Sequence, residues 1–175
     1  MRLPYLLGSA LLIAAPLVAQ NVTPLSKQGV FSALQGEWDG SAWIIMGPGP
    51  EGRHTMRQQE WVSTGAGGTV VIVKGLGTEK LPDGSVIVRH DAFATIYTGR
   101  DGKPAMRAFL ANGQWIDADF AVVPDGFVWK MTNPQVGMMR YEMQLVHGKW
   151  IEKGFMSRDD GKTWNQFMEI TLSKK

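Results

Sequence analysis

The stretch MMRYEMQLVHGKWIEKGFMS, residues 138–157, decides the fold because two alternating runs of residues flank His147-Gly148. A two-residue turn at His147-Gly148 joins the runs as a β-hairpin and fixes which side chains share a face. The mainly apolar face then carries four residues in two cross-strand pairs: Leu145 with Trp150 and Met143 with Glu152. The hairpin therefore has one face to bury, and that face includes a carboxyl group.

About ten such runs account for nearly all of the chain after Gly36, and breaks rich in Gly, Pro and Asp separate them. The runs cover residues 36–46, 54–63, 69–79, 85–98, 104–111, 114–123, 127–132, 138–146, 149–157 and 164–173. No helical stretch long enough for a parallel crossover interrupts them, so the strands should be antiparallel. The sequence predicts an all-β fold: an up-and-down antiparallel β-barrel of about ten strands with a short N-terminal helix.

The N-terminus has the pattern of a bacterial export signal. A positive charge at Arg2 precedes an apolar run over residues 6–18, and Ala19 ends a small-residue cleavage site. The run is shorter than the ~20 residues that span a bilayer, so we expect cleavage after Ala19 and no membrane span in the mature chain. The chain divides into a signal peptide (1–19), an N-terminal segment with a short helix (20–35) and the barrel domain (36–175). This organisation predicts a periplasmic or secreted bacterial protein.

Composition excludes several classes of function. The 175 residues include 18 Lys and Arg, 16 Asp and Glu and no Cys, for a formal net charge of +2. A charge this small gives no field to attract nucleic acid, and a chain without cysteine forms neither disulfides nor thiolate metal sites. The three histidines, His54, His90 and His147, lack metal-ligand spacing. We expect no nucleic-acid partner, no metal and no cofactor, and the oligomeric state stays open.

Further turns extend the buried face if each has two residues, as Asp83-Gly84, Asp101-Gly102 and Asn112-Gly113 suggest. The resulting register places His90 opposite Gly77 and turns Arg107 inward. A turn at Asp125-Gly126 pairs Phe120 with Met131 on the same face. The predicted inner wall is mainly apolar and aromatic, with a few polar groups: Phe109, Phe120, Phe127, Trp129, Met131, Met139, Tyr141, Met143, Trp150, Met156, Trp164, Met168, Ile170, His90, Arg107, Glu152 and Gln166.

A mainly apolar wall with a few polar groups is typical of a small-molecule pocket. We expect the lumen to bind a small hydrophobic or amphipathic molecule, with a carboxylate or hydroxyl group held by Arg107 and His90. The candidate ligand-binding residues are His90, Arg107, Trp129, Tyr141, Met143, Trp150, Glu152 and Gln166. No catalytic residue is assigned on this interpretation.

Three alternatives stay open. Arg107 and Glu152 would neutralise each other as a purely structural buried pair. Glu152 or His90 would act as general base in a small isomerase or hydrolase, because burial among aromatic rings raises the pKa of a carboxyl group. A structural envelope protein would present an outward apolar patch and a filled lumen; the outward candidates are Trp43, Phe93, Leu110 and Trp115.

The segment Gly36-Glu37-Trp38-Asp39-Gly40 resembles the G-x-W signature that opens the calycin barrels, including the lipocalins. The segments 77–81, 90–96, 140–141, 150–152 and 157–172 resemble a lipocalin-like family of exported bacterial proteins, a domain of unknown function. The resemblance implies a barrel with Trp38 packed across its closed end, and it implies no activity. The G-x-W-x-G pattern is also similar to the haem-binding nitrobindin barrels, which bind haem through a late histidine that this chain lacks.

The segment SRDDGKTW, residues 157–164, resembles the Asp-box of sialidases and related propellers. In those families the motif stabilises a hairpin turn away from the catalytic residues. The resemblance therefore implies only a turn in which Ser157 and Asp159 bond backbone amides and Trp164 covers the base of the hairpin.

Overall fold

A computed structural model describes residues 23–175, so the predicted signal peptide, residues 1–19, lies outside the described part of the chain. One short helix, α1 (Gly29–Leu34), precedes ten strands. The strands are β1 (Gly36–Ile45), β2 (Arg53–Gly65), β3 (Val70–Lys80), β4 (Val86–Thr98), β5 (Pro104–Leu110), β6 (Trp115–Val123), β7 (Gly126–Asn133), β8 (Gly137–Val146), β9 (Lys149–Ser157) and β10 (Asn165–Lys174). Each strand pairs antiparallel with its neighbours in sequence, and β1 pairs with β10. The predicted up-and-down barrel with a short N-terminal helix is confirmed.

Helix α1 and the turn before it close one end of the barrel. Leu25, Phe31 and Leu34 are buried, and the Phe31 ring stacks on Phe127 at a centroid distance of 6.3 Å. The Trp38 indole N–H donates to the Leu34 carbonyl oxygen at 2.7 Å, which anchors the helix to β1. We call this the closed end; the opposite end, where β1 ends and β2 begins, is the open end. Trp38 therefore packs across the closed end, as the G-x-W resemblance implied.

The hairpin that decided the prediction has the expected register. Its two turn residues, His147 and Gly148, have φ values of 50° and 75°, which permit a two-residue turn. The expected cross-strand pairs are all present: Leu145 with Trp150, Met143 with Glu152 and Glu142 with Lys153. The carboxyl group of Glu152 consequently lies on the inner face of β9.

Three of the predicted two-residue turns, at Asp83-Gly84, Asp101-Gly102 and Asn112-Gly113, are one residue longer than predicted. In each, the Asx side-chain oxygen accepts the backbone N–H two residues later: Asp83 from Ser85 (2.9 Å), Asp101 from Lys103 (3.1 Å) and Asn112 from Gln114 (3.0 Å). Backbone hydrogen bonds close each loop around three residues, with the glycine at positive φ as its last member. This is the three-residue hairpin loop in which a type I turn is followed by a left-handed glycine.

The longer loop between β5 and β6 turns Arg107 outward, so its predicted inward position is wrong. Arg107 pairs with Asp117 across the outer face, with Nε and Oδ1 2.6 Å apart, and its guanidinium lies over the Trp115 ring. Phe109 moves with it and contacts Phe93 on the outside. The proposed buried pair of Arg107 with Glu152 is therefore excluded.

A bulge in β10 explains a second correction. The register shifts between Gln166 and Met168, which directs Phe167 into the lumen. Gln166 lies opposite Phe155 on the outer face and donates to Glu169 Oε2 at 2.9 Å. Its predicted inward position is wrong, and so is that of Trp164, which lies against Arg140 outside the barrel.

Two other departures leave the inner face unchanged. A bulge at Gly77/Thr78 offsets the longer Asp83-Gly84 loop, so Gly77 still pairs with His90 as predicted. The β6–β7 pairing is displaced by two residues, which places Trp129 opposite Phe120. Because side chains alternate with a period of two, neither change moves these residues to the other face.

The Asp-box segment forms the turn that its resemblance implied. Asp159 Oδ1 accepts the Thr163 backbone N–H at 2.9 Å, and Ser157 Oγ accepts the Gly161 N–H at 2.8 Å. The bonds from the backbone and hydroxyl of Thr163 lower the pKa of Asp159 to about 2. The Trp164 indole donates to the Gly161 carbonyl at 3.0 Å, so the motif stabilises the β9–β10 hairpin.

Candidate ligand cavity

The barrel encloses a cavity of about 360 Å³ between the closed end and the open end. Every strand contributes to its wall, which is mainly apolar; typical members are Ile44, Met56, Val73, Ile96, Met106 and Ile170. The volume falls in the range of small-molecule sites. The interior is therefore a shaped cavity and not a solid core.

Five of the eight predicted ligand-binding residues line this cavity: His90, Trp129, Tyr141, Trp150 and Glu152. Met143 is fully buried in the core toward the closed end and is not part of the cavity wall. Arg107 and Gln166 lie on the outer face, as described above. The binding role of the five inward residues stays a prediction.

Two polar residues of the wall, Gln58 and Glu60 on β2, were not predicted from sequence. Gln58 is 1% exposed and Glu60 is 5% exposed, and Gln58 Nε2 donates to Glu60 Oε1 at 2.8 Å. The facing strand provides their space with glycines, since a Cβ atom at Gly75 would lie 2.7 Å from Glu60 Oε1 and one at Gly77 2.6 Å from Gln58 Oε1. The available signal was the alternation of β2, in which Met56, Gln58, Glu60 and Val62 share one face.

Glu152 lies between two tryptophans. Its Oε2 accepts the Trp150 indole N–H at 3.2 Å, and its Oε1 accepts that of Trp129 at 3.4 Å. Burial raises the pKa of Glu152, and the two indole hydrogen bonds oppose that rise. The carboxyl is thus fixed in orientation by its neighbours.

Glu60 and Glu152 form an acidic pair in the deeper half of the cavity. Burial raises the pKa of Glu60 to about 8; the Gln58 amide opposes this shift, and the charge of Glu152 adds to it. At neutral pH Glu60 is therefore mainly protonated. Neither carboxyl forms an ion pair with a cation of the described chain.

An aromatic wall stands beside the acidic pair. The Trp129 and Tyr141 rings stack with centroids 3.8 Å apart, and Phe167 meets Tyr141 edge-on at 5.8 Å. Burial raises the pKa of Tyr141, and the charge of Glu152 contributes to the rise, so the phenol stays neutral. The wall offers flat apolar surface next to hydrogen-bonding groups.

The polar groups at the open end of the cavity are a histidine and an ion-paired arginine. His90 is accessible to solvent through the cavity mouth, and enclosure by the walls lowers the pKa of its imidazole against the opposing charge of Asp91. Arg89 also borders the cavity, but its guanidinium forms an ion pair with Glu79. His54 Nδ1 lies 3.2 Å from Oε2 of the same glutamate. Within residues 23–175, no group of three or more His, Asp or Glu side chains is arranged to hold a metal ion.

Comparison with known proteins identifies no family for this chain. No protein-family model matches the chain, and no curated protein matches its sequence. Among solved structures, the chain is similar to the zebrafish ileal bile acid-binding protein complexed with cholic acid, at 12% sequence identity and a TM-score of 0.45. The match covers 82% of this chain and 99% of that chain. The assignment as a closed ten-stranded barrel rests on the strand order of the chain itself.

Proposed function

We propose that this chain is an exported binding protein of the calycin type that holds a small, largely apolar molecule in its lumen. The observation that carries the proposal is the 360 Å³ cavity, whose wall is apolar except for a few polar groups. A lumen filled by side chains would instead have favoured a structural protein. Because α1 covers the closed end, the molecule would enter at the open end past His90.

Filling the cavity should abolish binding. Ala92 lines the cavity opposite Gly75, so Ala92→Phe places a ring in the space that a ligand needs. We expect the affinity for the neutral fluorescent probe N-phenyl-1-naphthylamine, measured by fluorescence titration, to fall about tenfold or more. The matched control is Ala121→Phe on the exposed outer face of β6, which should bind like the wild type.

Circular dichroism of both variants separates loss of binding from loss of folding. Equal affinity in a folded Ala92→Phe protein would contradict binding in the lumen. If that variant does not fold, the smaller change Ala92→Leu gives the same test with a smaller expected loss.

A catalytic role is the second candidate, and one observation favours it. Glu60 has a pKa of about 8 and lies in the same cavity as Glu152 and His90, which suits proton transfer at neutral pH. Such an enzyme would lose a defined turnover in Glu152→Gln while the variant still bound its substrate. We rank binding first because the cavity supports it without any assumption about a reaction.

We also propose that the chain is exported to the periplasm or secreted, and that it belongs with the lipocalin-like bacterial family that its motifs resemble. The pattern of residues 1–19 supports export. No helix among residues 23–175 is long and apolar enough to cross a membrane. N-terminal sequencing of the full chain recovered from a bacterial periplasm should begin at Gln20, and recovery of an intact N-terminus from the cytoplasm would contradict export.

A further inference from the structure

The deep half of the cavity has unused hydrogen-bond acceptors. Gln58 and Glu60 are each more than nine-tenths buried and line the cavity, and one hydrogen bond joins Gln58 Nε2 to Glu60 Oε1. Among the described residues, no donor reaches the second oxygen of Glu60 or the amide oxygen of Gln58. Both side chains line the cavity; the Gln58 amide oxygen is an acceptor, and Glu60 becomes one when it ionises, so this pair is suited to a ligand that donates hydrogen bonds.

The charged groups of the cavity also favour a ligand that donates hydrogen bonds. Both carboxyls that line it, Glu60 and Glu152, lie in the half of their strand nearer the closed end. The guanidinium that borders the cavity, Arg89, lies toward the open end and is paired with Glu79. A ligand carboxylate that reached the deep half would therefore meet two acidic groups and no free cation of the described chain.

Aromatic and apolar surfaces complete the recognition. The Trp129–Tyr141 stack beside Glu152 provides ring faces that attract a desolvated cation. Nearer the open end, four methionines line the wall with adaptable apolar surface: Met56, Met131, Met139 and Met168. A ligand whose cationic end lay in the deep half would have its apolar tail in contact with these methionines.

We propose that the lumen selects apolar amines, with the ammonium group held by Glu60, Glu152 and Gln58 and the hydrocarbon part lying toward the open end. This inference rests on lumen binding and specifies the charge of the ligand. It replaces the expectation that Arg107 and His90 would hold a carboxylate, because Arg107 lies outside the barrel and the lowered pKa of His90 leaves its imidazole uncharged.

Binding of an ammonium should also release a proton. In the empty cavity Glu60 retains its proton because the buried carboxylate lacks a counter-ion, and an ammonium supplies that positive charge. The other titratable groups that face the deep half are Glu152 on β9 and Tyr141 on β8, with His90 on β4 nearer the mouth. On the two strands that flank Glu60, the facing residues are Trp38 and Gly75, neither of which titrates.

Three ligands of equal length test the charge preference. Octylamine, 1-octanol and octanoic acid are compared near neutral pH by displacement of N-phenyl-1-naphthylamine. We expect octylammonium to bind about tenfold or more tightly than 1-octanol, and octanoate to bind most weakly. Calorimetry of octylamine in buffers of different ionisation enthalpy should show net release of protons.

Glu60→Gln and Glu152→Gln should each reduce the preference for octylamine over 1-octanol to about threefold or less while probe binding persists. Glu37→Gln is the matched control, because it makes the same replacement at an exposed residue of β1 outside the lumen. Equal affinities for octylamine and 1-octanol, with the neutral probe still bound, would overturn the amine inference and leave lumen binding intact. Failure of the probe and of all three ligands to bind would overturn both the amine inference and the proposal of lumen binding.

Discussion

Raising the pH from about 4.5 to about 8 should lower the free energy of unfolding, through Glu60 alone, by on the order of 4 kcal/mol. Burial, with a contribution from Glu152, raises the pKa of Glu60 to about 8 in the folded protein, whereas an ordinary glutamate titrates near 4.5. Between these values the unfolded chain loses a proton that the folded protein retains, so rising pH favours unfolding. Below the window both states are protonated, and above it both are ionised.

Urea denaturation followed by circular dichroism across this pH range measures the effect. Glu60→Gln should match the wild type near pH 4.5, because the amide resembles the protonated acid, and should be the more stable protein above pH 8. Glu37→Gln removes a carboxylate from the exposed outer face and serves as the control. Identical pH dependence in the wild type and in Glu60→Gln would contradict the buried, protonated state of Glu60.

Replacing Trp38 with alanine should cost roughly 3–5 kcal/mol of unfolding free energy. The Trp38 side chain is 2% exposed and meets the Trp150 ring edge-on at 5.8 Å, so its loss leaves a large cavity at the closed end. The substitution also removes the donor to the Leu34 carbonyl, which weakens the attachment of α1.

The matched control is Trp115→Ala at the open end. Trp115 is 55% exposed and contacts Arg107 on the outer face, so its removal should cost less than about 1 kcal/mol. Chemical denaturation of both variants, followed by far-UV circular dichroism, gives the comparison. Similar costs for the two substitutions would show that Trp38 does not hold the closed end together.

The number and direction of the strands were predictable from sequence, because alternation and glycine-containing breaks are local signals. The prediction of which face each residue occupies depended on the length assumed for each turn. The His147-Gly148 turn has two residues and gave the correct face for Glu152. At Asn112-Gly113 the asparagine bonds the Gln114 amide and the loop has three residues, which reversed the face of Arg107.

The difference between these turns is physical. A glycine at positive φ suits both the two-residue turn and the three-residue loop. The glycine-containing dipeptide therefore does not determine which of the two forms. Asp and Asn favour the longer loop here by accepting the amide two residues on, whereas no corresponding bond involves the His147 side chain among the described residues. An Asx residue before glycine does not decide the length alone, because the β6–β7 turn has Asp125 before Gly126 and only two residues between the paired Val123 and Gly126.

The residues of the candidate site were predictable only in part, because loop lengths and bulges decide which face a side chain occupies. Glu60 and Gln58 were missed because β2 joins β3 through a longer loop, so no tight turn fixed their face. Gln166 was misplaced because the bulge at Phe167 depends on the packing of a whole strand. The face of His90 was predicted correctly because the loops at Asp101-Gly102 and Asn112-Gly113 are each one residue longer than expected, and the two shifts cancel.

The pairing of the first strand with the last affects how the polypeptide reaches its native state. Trp38 and Lys174 become partners only once all ten strands have been synthesised. Contacts between such distant residues close a long loop, and the entropy of that closure slows folding. A nascent chain without β10 has two unpaired sheet edges, which invite association with other molecules. The C-terminal strand therefore protects the newly made protein from aggregation as well as completing the sheet.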